Sequence, residues 1–442
     1  MRLSFTGLIL LFAAALLAQP KQNSPYSQYG IGDLVPQYFA NQAAWGGQTT
    51  ASHDPFHVNL MNPASFASLR TTTLDVGLFA KNSNYKSSSG SLNAWGGNLA
   101  YLSLGFTLKS PINEVLDRKQ SPWQFGMGFT LTPYSQVGYN VQTRDTLPQL
   151  GEVTNSFEGS GGTYRLNWSN AVRYKNTAVG LNLGWQFGEA KYESRADFRD
   201  SFPTYSDVFR DEIAIKGLVW NLGVQHDIVL KHADQDKTVP LRWITIGATV
   251  ESNHNLSAST DILRFRARPA SGGYTGYDTL LNVVNDSRTI TLPSAFSLGI
   301  QYVNASKFKA GMQFGIENWS NYVNETRPPD QPFRNTISLS GGVEYIPDYA
   351  SYNRYLKRVR YRLGAYYRQD PRQVNGQDLN DIGFSFGFGL PLILPRQQTS
   401  FINTAFEVGK LGADSPIEET YYRITVGFTL NDNTWFYKRR FE

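Results

Sequence analysis

From Thr71 onward the chain alternates apolar and polar residues at every second position, in segments of about ten to eighteen residues separated by Gly, Asn, Asp, Pro and Ser clusters. Successive strand residues point to opposite faces, so this period describes strands with one greasy and one polar face. In "DIGFSFGFGL", Ile382, Phe384, Phe386, Phe388 and Leu390 share one face, and Asp381, Gly383, Ser385, Gly387 and Gly389 the other. "YYRITVGFTL" sets Tyr422, Ile424, Val426, Phe428 and Leu430 against Tyr421, Arg423, Thr425, Gly427 and Thr429. "NLAYLSLGFTLK" alternates from Ala100 to Lys109, with Leu99 breaking the pattern. The segments start near Thr72, Gly97, Gln124, Thr163, Ala178, Ile213, Leu241, Arg288, Lys307, Asn335, Arg358, Asp378, Ser400 and Thr420, about fourteen in all.

A sheet of that size must hide its greasy face, and composition says against what. The chain carries 27 Phe, 25 Tyr, 9 Trp and 39 Gly with only 17% charged residues. Low charge with much aromatic and glycine suits strands that face lipid, end in aromatic girdles and pack closely around a lumen. An open edge would strand backbone N–H and C=O groups in hydrocarbon, so the sheet must close, first strand on last. The expected fold is all-β, a transmembrane antiparallel β-barrel of about fourteen strands, spanning a bacterial outer membrane many times. Residues 174–177 and 304–307 read as periplasmic turns, and 193–211 and 270–286 as extracellular loops.

The ends read differently. Arg2, an apolar run over residues 5–18 and the polar "QPKQNS" make a secretory signal peptide over residues 1–18. Residues 19–70 then precede a barrel at 71–432, and a tail at 433–442 interleaves Trp435, Phe436, Tyr437 and Phe441 with Lys438, Arg439 and Arg440. With no cysteine there are no disulfides or thiolate metal sites. The net charge of +5 is spread along the chain, so the expected surroundings are outer-membrane lipid and not nucleic acid.

Inward faces carry charge. "RVRYRLGAYYR" places Arg358, Arg360, Arg362 and Arg368 on one face, and arginine costs about 2–4 kcal/mol on the lipid face at mid-depth. The ladder therefore looks into the lumen, with Glu344, Glu317, Glu407, Lys309 and Arg423 also on inward faces, and the following strand's inward glycines leaving room for long side chains. It reads as an ion-pair network that stiffens the barrel or as an anion-guiding wall, and the acids on neighbouring strands favour the first. No catalytic constellation emerges: His226 and Asp227 are adjacent on a strand and point to opposite faces. Asp234 and Asp236 are a solvated loop face before they are a calcium site, and neither a metal nor a cofactor is expected.

The segment before the barrel carries a resemblance. "ASHDPFHVNLMNPASFASL", with Asn62-Pro63-Ala64, resembles the N-terminal hatch of the FadL/TodX family of outer-membrane transporters. "TLPSAFSLGIQY" and "FGIENWSNY", with Trp319, are similar to two of that family's strands, and "SPYSQYGIGDL" looks like the mature N-terminus of FadL-like barrels of the Bacteroidetes. The resemblance implies passive uptake of small hydrophobic molecules through a lumen plugged by a hatch at Asn62, Pro63 and Ala64. It implies as an alternative a barrel that transports nothing and serves as subunit or shuttle in an outer-membrane protein secretion or assembly complex, like the attachment protein of type IX secretion. Val58, Leu60, Met61 and Phe66 are the apolar surface expected to seat the hatch, and Asn62 its backbone tie.

Overall fold

The computed structural model describes residues 24–432, apart from 89, 110–120, 148–150, 199–204, 234–239, 271–272, 306, 328–332, 375, 395–397 and 414. The expected signal peptide, the aromatic tail and Asp234 and Asp236 lie outside the described residues. Fourteen antiparallel strands form a closed ring. They are β1 (Thr72–Ser87), β2 (Gly90–Thr107), β3 (Trp123–Leu147), β4 (Gly151–Tyr174), β5 (Thr177–Phe198) and β6 (Ser206–His232). β7 is interrupted once (Pro240–Glu251, His254–Ala270), as are β8 (Gly273–Leu292, Ala295–Asn304) and β9 (Phe308–Glu317, Val323–Asn324). β10 (Thr336–Tyr345), β11 (Arg360–Val374), β12 (Gln377–Leu394), β13 (Gln398–Leu411) and β14 (Ile417–Asp432) complete the ring. β14 pairs with β1 from Asp432↔Thr72 to Ile417↔Ser87, which removes the edges that hydrocarbon forbids.

Alternation on the outer face follows the sequence. Ile382, Phe384 and Phe386 on β12 and Tyr422, Ile424 and Phe428 on β14 are exposed, while Gly383, Ser385, Thr425 and Thr429 are buried. Leu99 breaks the alternation because a β-bulge sits there: Gly77 pairs with Tyr101 but Leu78 pairs with Leu99, leaving Ala100 as the extra residue.

The expected extracellular loops are largely strand. β5 continues to Phe198 and β6 begins at Ser206; the last section of β7 runs to Ala270 and β8 starts at Gly273. A membrane needs about 9–11 residues per strand, and β6 has 27. Cross-strand pairing simply continues past the apolar band, building a sheet that rises beyond the rim opposite Thr72 and Asp432. On the barrel axis of this extension the inward side chains of β3, β5, β6, β7 and β8, including Val137, Tyr192, Ile213, Leu256 and Ile290, pack with Trp319 and Tyr322 into one apolar cluster.

Residues 24–70 lie inside the ring. The 3-10 turn Pro63–Ser68 contacts β2, β3, β4, β5 and β6, and the short helix Ala40–Ala43 contacts β12, β13 and β14. Inward glycines make the room. A Cβ on Gly126 would stand 2.0 Å from the Phe66 carbonyl oxygen, one on Gly180 2.3 Å from the Pro63 carbonyl carbon, and one on Gly342 2.2 Å from the Trp45 carbonyl oxygen. Other inward glycines lie beneath tyrosine rings from the neighbouring strand, as Gly383 does under Tyr366 and Gly409 under Tyr421. The inward glycines of β12 therefore hold a tyrosine ring at Gly383, Ala44 at Gly387 and the Arg362 guanidinium at Gly389.

The ring parts at one place. β2 and β3 pair only from Leu102↔Leu131 to Thr107↔Gly126. β3 then bulges between Pro133 and Ser135 and turns inward, where proline has no N–H to offer a neighbour.

Candidate functional site

The lumen is organised around carboxylates that tie the N-terminal segment to the wall. Asp54, from that segment, takes Arg360 Nη1 at 2.8 Å and Lys309 Nζ at 3.1 Å on one oxygen and His57 Nδ1 at 3.0 Å on the other. Antiparallel register supplies the rest: Lys309 stands opposite Glu344, and Glu344 opposite Arg362. Glu344 is accordingly 3.2 Å from Lys309 and accepts from Arg362 Nε at 2.7 Å, while Arg362 Nη1 donates to Asn403 Oδ1 at 2.9 Å. Burial alone would raise the Asp54 carboxyl, but Arg360, Lys309 and His57 outweigh it and hold the group well below the usual range. Burial pushes the His57 imidazole down to about 4, against the pull of Asp54, so it sits neutral at pH 7.

A second knot forms on the opposite wall. Asp227 accepts from Arg173 Nη1 at 2.6 Å and Thr245 Oγ1 at 2.6 Å and lies 3.0 Å from His53 Nε2, and Arg173 Nη2 reaches Ser68 Oγ at 2.8 Å. His53 approaches both Asp227 and the Thr245 hydroxyl through the same nitrogen. It therefore cannot take a proton from a hydroxyl while a carboxylate steadies its other nitrogen, as a nucleophilic triad requires. His226 faces outward to Thr177 and takes no part.

The motif residues lie where the turn meets β5 and β6. Asn62 is fully buried; its Nδ2 donates to the Thr50 carbonyl at 2.6 Å and the Val224 carbonyl at 3.2 Å, and its Oδ1 accepts from the Ala64 N–H at 3.1 Å. That last bond caps the turn, and Pro63 occupies its first position, where a missing N–H costs nothing. Val58, Leu60 and Phe66 are buried in one cluster with Ala64, Phe79 and Tyr101. Met61 is exposed and lines the cavity instead.

The remaining charged residues fall as follows. Glu407 accepts from the Tyr38 hydroxyl at 2.9 Å, which in turn accepts from Arg368 Nη2 at 2.9 Å; Arg423 Nε lies 3.7 Å from Glu407. Glu317 accepts from Trp319 Nε1 at 2.6 Å. Arg358 is not on the strand with Arg360 and Arg362. It ends the helical turn Tyr355–Arg358, with its guanidinium over Tyr355, because β11 begins only at Arg360. Val359 is buried rather than outward. Between the N-terminal segment and the apolar cluster above lies a cavity of about 400 Å³, lined among others by Arg165, Glu251, Glu317, Arg368, Glu407 and Arg423. Sequence reasoning missed Asp54, His53 and Tyr38 as anchors. Asp54 and His57, three positions apart in an otherwise apolar stretch, were the available signal.

Comparison with known structures finds the same fold. The chain is similar to the monoaromatic hydrocarbon channel CymD, at 13% identity and a TM-score of 0.53 over 91% of this chain and 98% of that one. A FadL homologue of Pseudomonas aeruginosa gives 13% and 0.55 over 90% and 99%. The toluene transporter TodX of Pseudomonas putida gives 13% and 0.54 over 91% and 99%. No curated protein matches. A family model described as BamG matches residues 1–442, so the chain, a barrel of the outer-membrane kind, belongs to the BamG family.

Proposed function

We propose that the protein is a non-conducting outer-membrane barrel acting as a subunit of an outer-membrane protein assembly complex, exported by residues 1–18, plugged by residues 19–70, and anchored by the barrel at 71–432 with an interfacial tail at 433–442. One observation carries this reading: the lumen is filled and bolted. Asp54 is held by two strands, Asp227 by Arg173 and Thr245 beside His53, and Asn62 by the β6 backbone. Removing one partner of such a buried pair leaves a stranded charge at a cost of about 3–5 kcal/mol, so this interior resists opening. The cavity that remains carries Arg165, Glu251, Arg368 and Glu407 in its lining, charges that an entering hydrocarbon would have to desolvate. Membership of the BamG family points to an assembly role as well. The arginine ladder on this reading is a stiffening ion-pair network.

A second reading, passive uptake of small hydrophobic molecules, has one observation in its favour: the parting of β2 from β3 above Leu102 and Leu131, in a fold shared with hydrocarbon channels. Purification of the native protein in mild detergent separates the two. Stoichiometric co-purifying membrane or periplasmic proteins, silent planar bilayers and defective outer-membrane protein maturation on depletion are the expected results. A bound apolar ligand, with an uptake defect on depletion and no protein partner, would overturn the assembly reading.

A further inference from the structure

The parting of the wall creates two strand edges, and the described residues cover only one. On β3 the freed edge is taken up by the N-terminal segment. Asp33 and Leu34 pair with Gln136 and Ser135, the Val35 N–H donates to the Tyr134 carbonyl at 3.0 Å, Gln37 Nε2 donates to the Pro133 carbonyl at 2.8 Å, and the Ser24 N–H donates to the Gly138 carbonyl at 2.7 Å. On β2 no strand pairs with that edge from Gly90 to Tyr101 among the described residues. The single cover there is local, the Asn98 side chain accepting from the Leu99 N–H at 2.8 Å.

Depth makes this bare edge costly. The outward Asn82 and Asn93 side chains bond each other at 2.9 Å and mark where the apolar belt of β1 and β2 ends. Below them, Gly97 pairs with Ala80 and Leu99 with Leu78, alongside the outward Ile424 and Val426 of β14. The edge from Gly97 to Tyr101 thus lies at the level of hydrocarbon, where each unsatisfied backbone group costs several kcal/mol and water cannot serve. Backbone donors and acceptors spaced along an extended strand are matched by another extended strand, and at this depth that strand must itself be membrane-spanning. A lipid tail has no hydrogen bonds to offer.

We infer that the β2 edge around Gly97 and Leu99 is a docking site for a transmembrane β-strand of a partner outer-membrane protein. The inference deepens the assembly reading and rests on it for the partner's class. Gly97, lying two residues from Leu99, presents its N–H to the same free side.

The test places a photoreactive phenylalanine at Trp95 or Leu99 in the full-length protein in living cells, with Phe384 and Ile424, on fully paired strands, as controls. The expected result is an adduct from Trp95 and Leu99, absent from the controls, whose cross-linked peptide maps to a membrane-spanning strand of another protein. Gly97→Pro, which removes an edge donor yet is tolerated on an edge strand, should abolish the adduct while heat-modifiable mobility and protease protection of residues 24–70 stay intact. Should Gly97→Pro fail to fold, Trp95→Pro, which removes the next donor along the same edge nearer the rim, replaces it with the same expectation, read from the probe at Leu99. Adducts to lipid only, to a second copy of this chain, to a segment that is not a strand, or unchanged by either substitution would overturn the docking site. Co-purification of partners without these adducts would sink the docking site alone; absence of any partner would sink the assembly reading with it.

Discussion

Arg360 on β11 holds Asp54 of the N-terminal segment at 2.8 Å, across 306 positions of sequence. The segment's grip on the wall passes through this buried carboxylate, which Lys309 shares at 3.1 Å.

Arg360→Gln should therefore destabilise the protein, by less than the about 3–5 kcal/mol of a fully stranded buried charge, because Lys309 and His57 still bond Asp54. Urea titration in detergent, read by heat-modifiable gel mobility, measures it. Asp54→Asn in the Arg360→Gln background should cost much less than the two single changes added together, because the pair acts as a unit. Additive losses would show that the two groups do not interact.

Stability should fall as pH drops from about 6.5 to about 4. His57 binds its proton at 6.5 when unfolded but only at about 4 when buried, so the unfolded chain carries more protons throughout that window and acid favours it. Asp54, held well below its ordinary value, adds to the acid loss at the bottom of the range and below. The urea midpoint measured from pH 8 to pH 4 should slope downward with acid, and His57→Gln should flatten the upper part of that slope.

Gly223→Val should expel the Asn62 turn, because even a Cβ at Gly223 would stand 2.0 Å from Asn62 Oδ1. The expected outcome is a barrel still resistant to detergent at room temperature but with residues 24–70 open to protease and with measurable bilayer conductance. Gly341→Val is the control, since a Cβ there meets nothing nearer than 3.6 Å. Equal protease sensitivity in the two variants would refute the seating role of Gly223.

Phe384→Arg should cost about 2–4 kcal/mol in lipid, because Phe384 is 68% exposed on the outer face of β12 and cannot turn its charge into the lumen. Unfolding from vesicles, compared with Ser385→Ala on the inner face, checks the orientation.

How legible this was in sequence depends on where lipid imposes a rule. Segments expected to begin at Gln124, Ala178, Leu241 and Asp378 begin at Trp123, Thr177, Pro240 and Gln377, because the lipid face makes alternation obligatory there. The far ends were misjudged: the strand expected from Thr163 starts at Gly151, and the one expected from Arg288 at Gly273. Beyond the membrane the outer face meets water and no lipid demands an apolar residue at every second position, so pairing continues without an alternating signature. Arg360, Arg362, Glu344 and Glu407 could be placed on inward faces by parity alone. Their partners could not, since Asp54, His53 and Tyr38 sit in irregular chain whose side-chain directions follow no period. The break at Pro133 was visible as a proline inside a strand, but which edge would go uncovered depends on residues 24–37 folding back inside the ring.

The glycine seats have a topological consequence. Gly126, Gly180, Gly247, Gly342 and Gly387 belong to five strands spread over most of the chain, and each is shaped to the backbone or a methyl of the segment at the centre. An object gripped on all sides by a hoop is held by the hoop's fastening. The first part of the chain is thus the mandrel about which the later strands are wound, and the pairing of β14 with β1 is the clasp that closes round it.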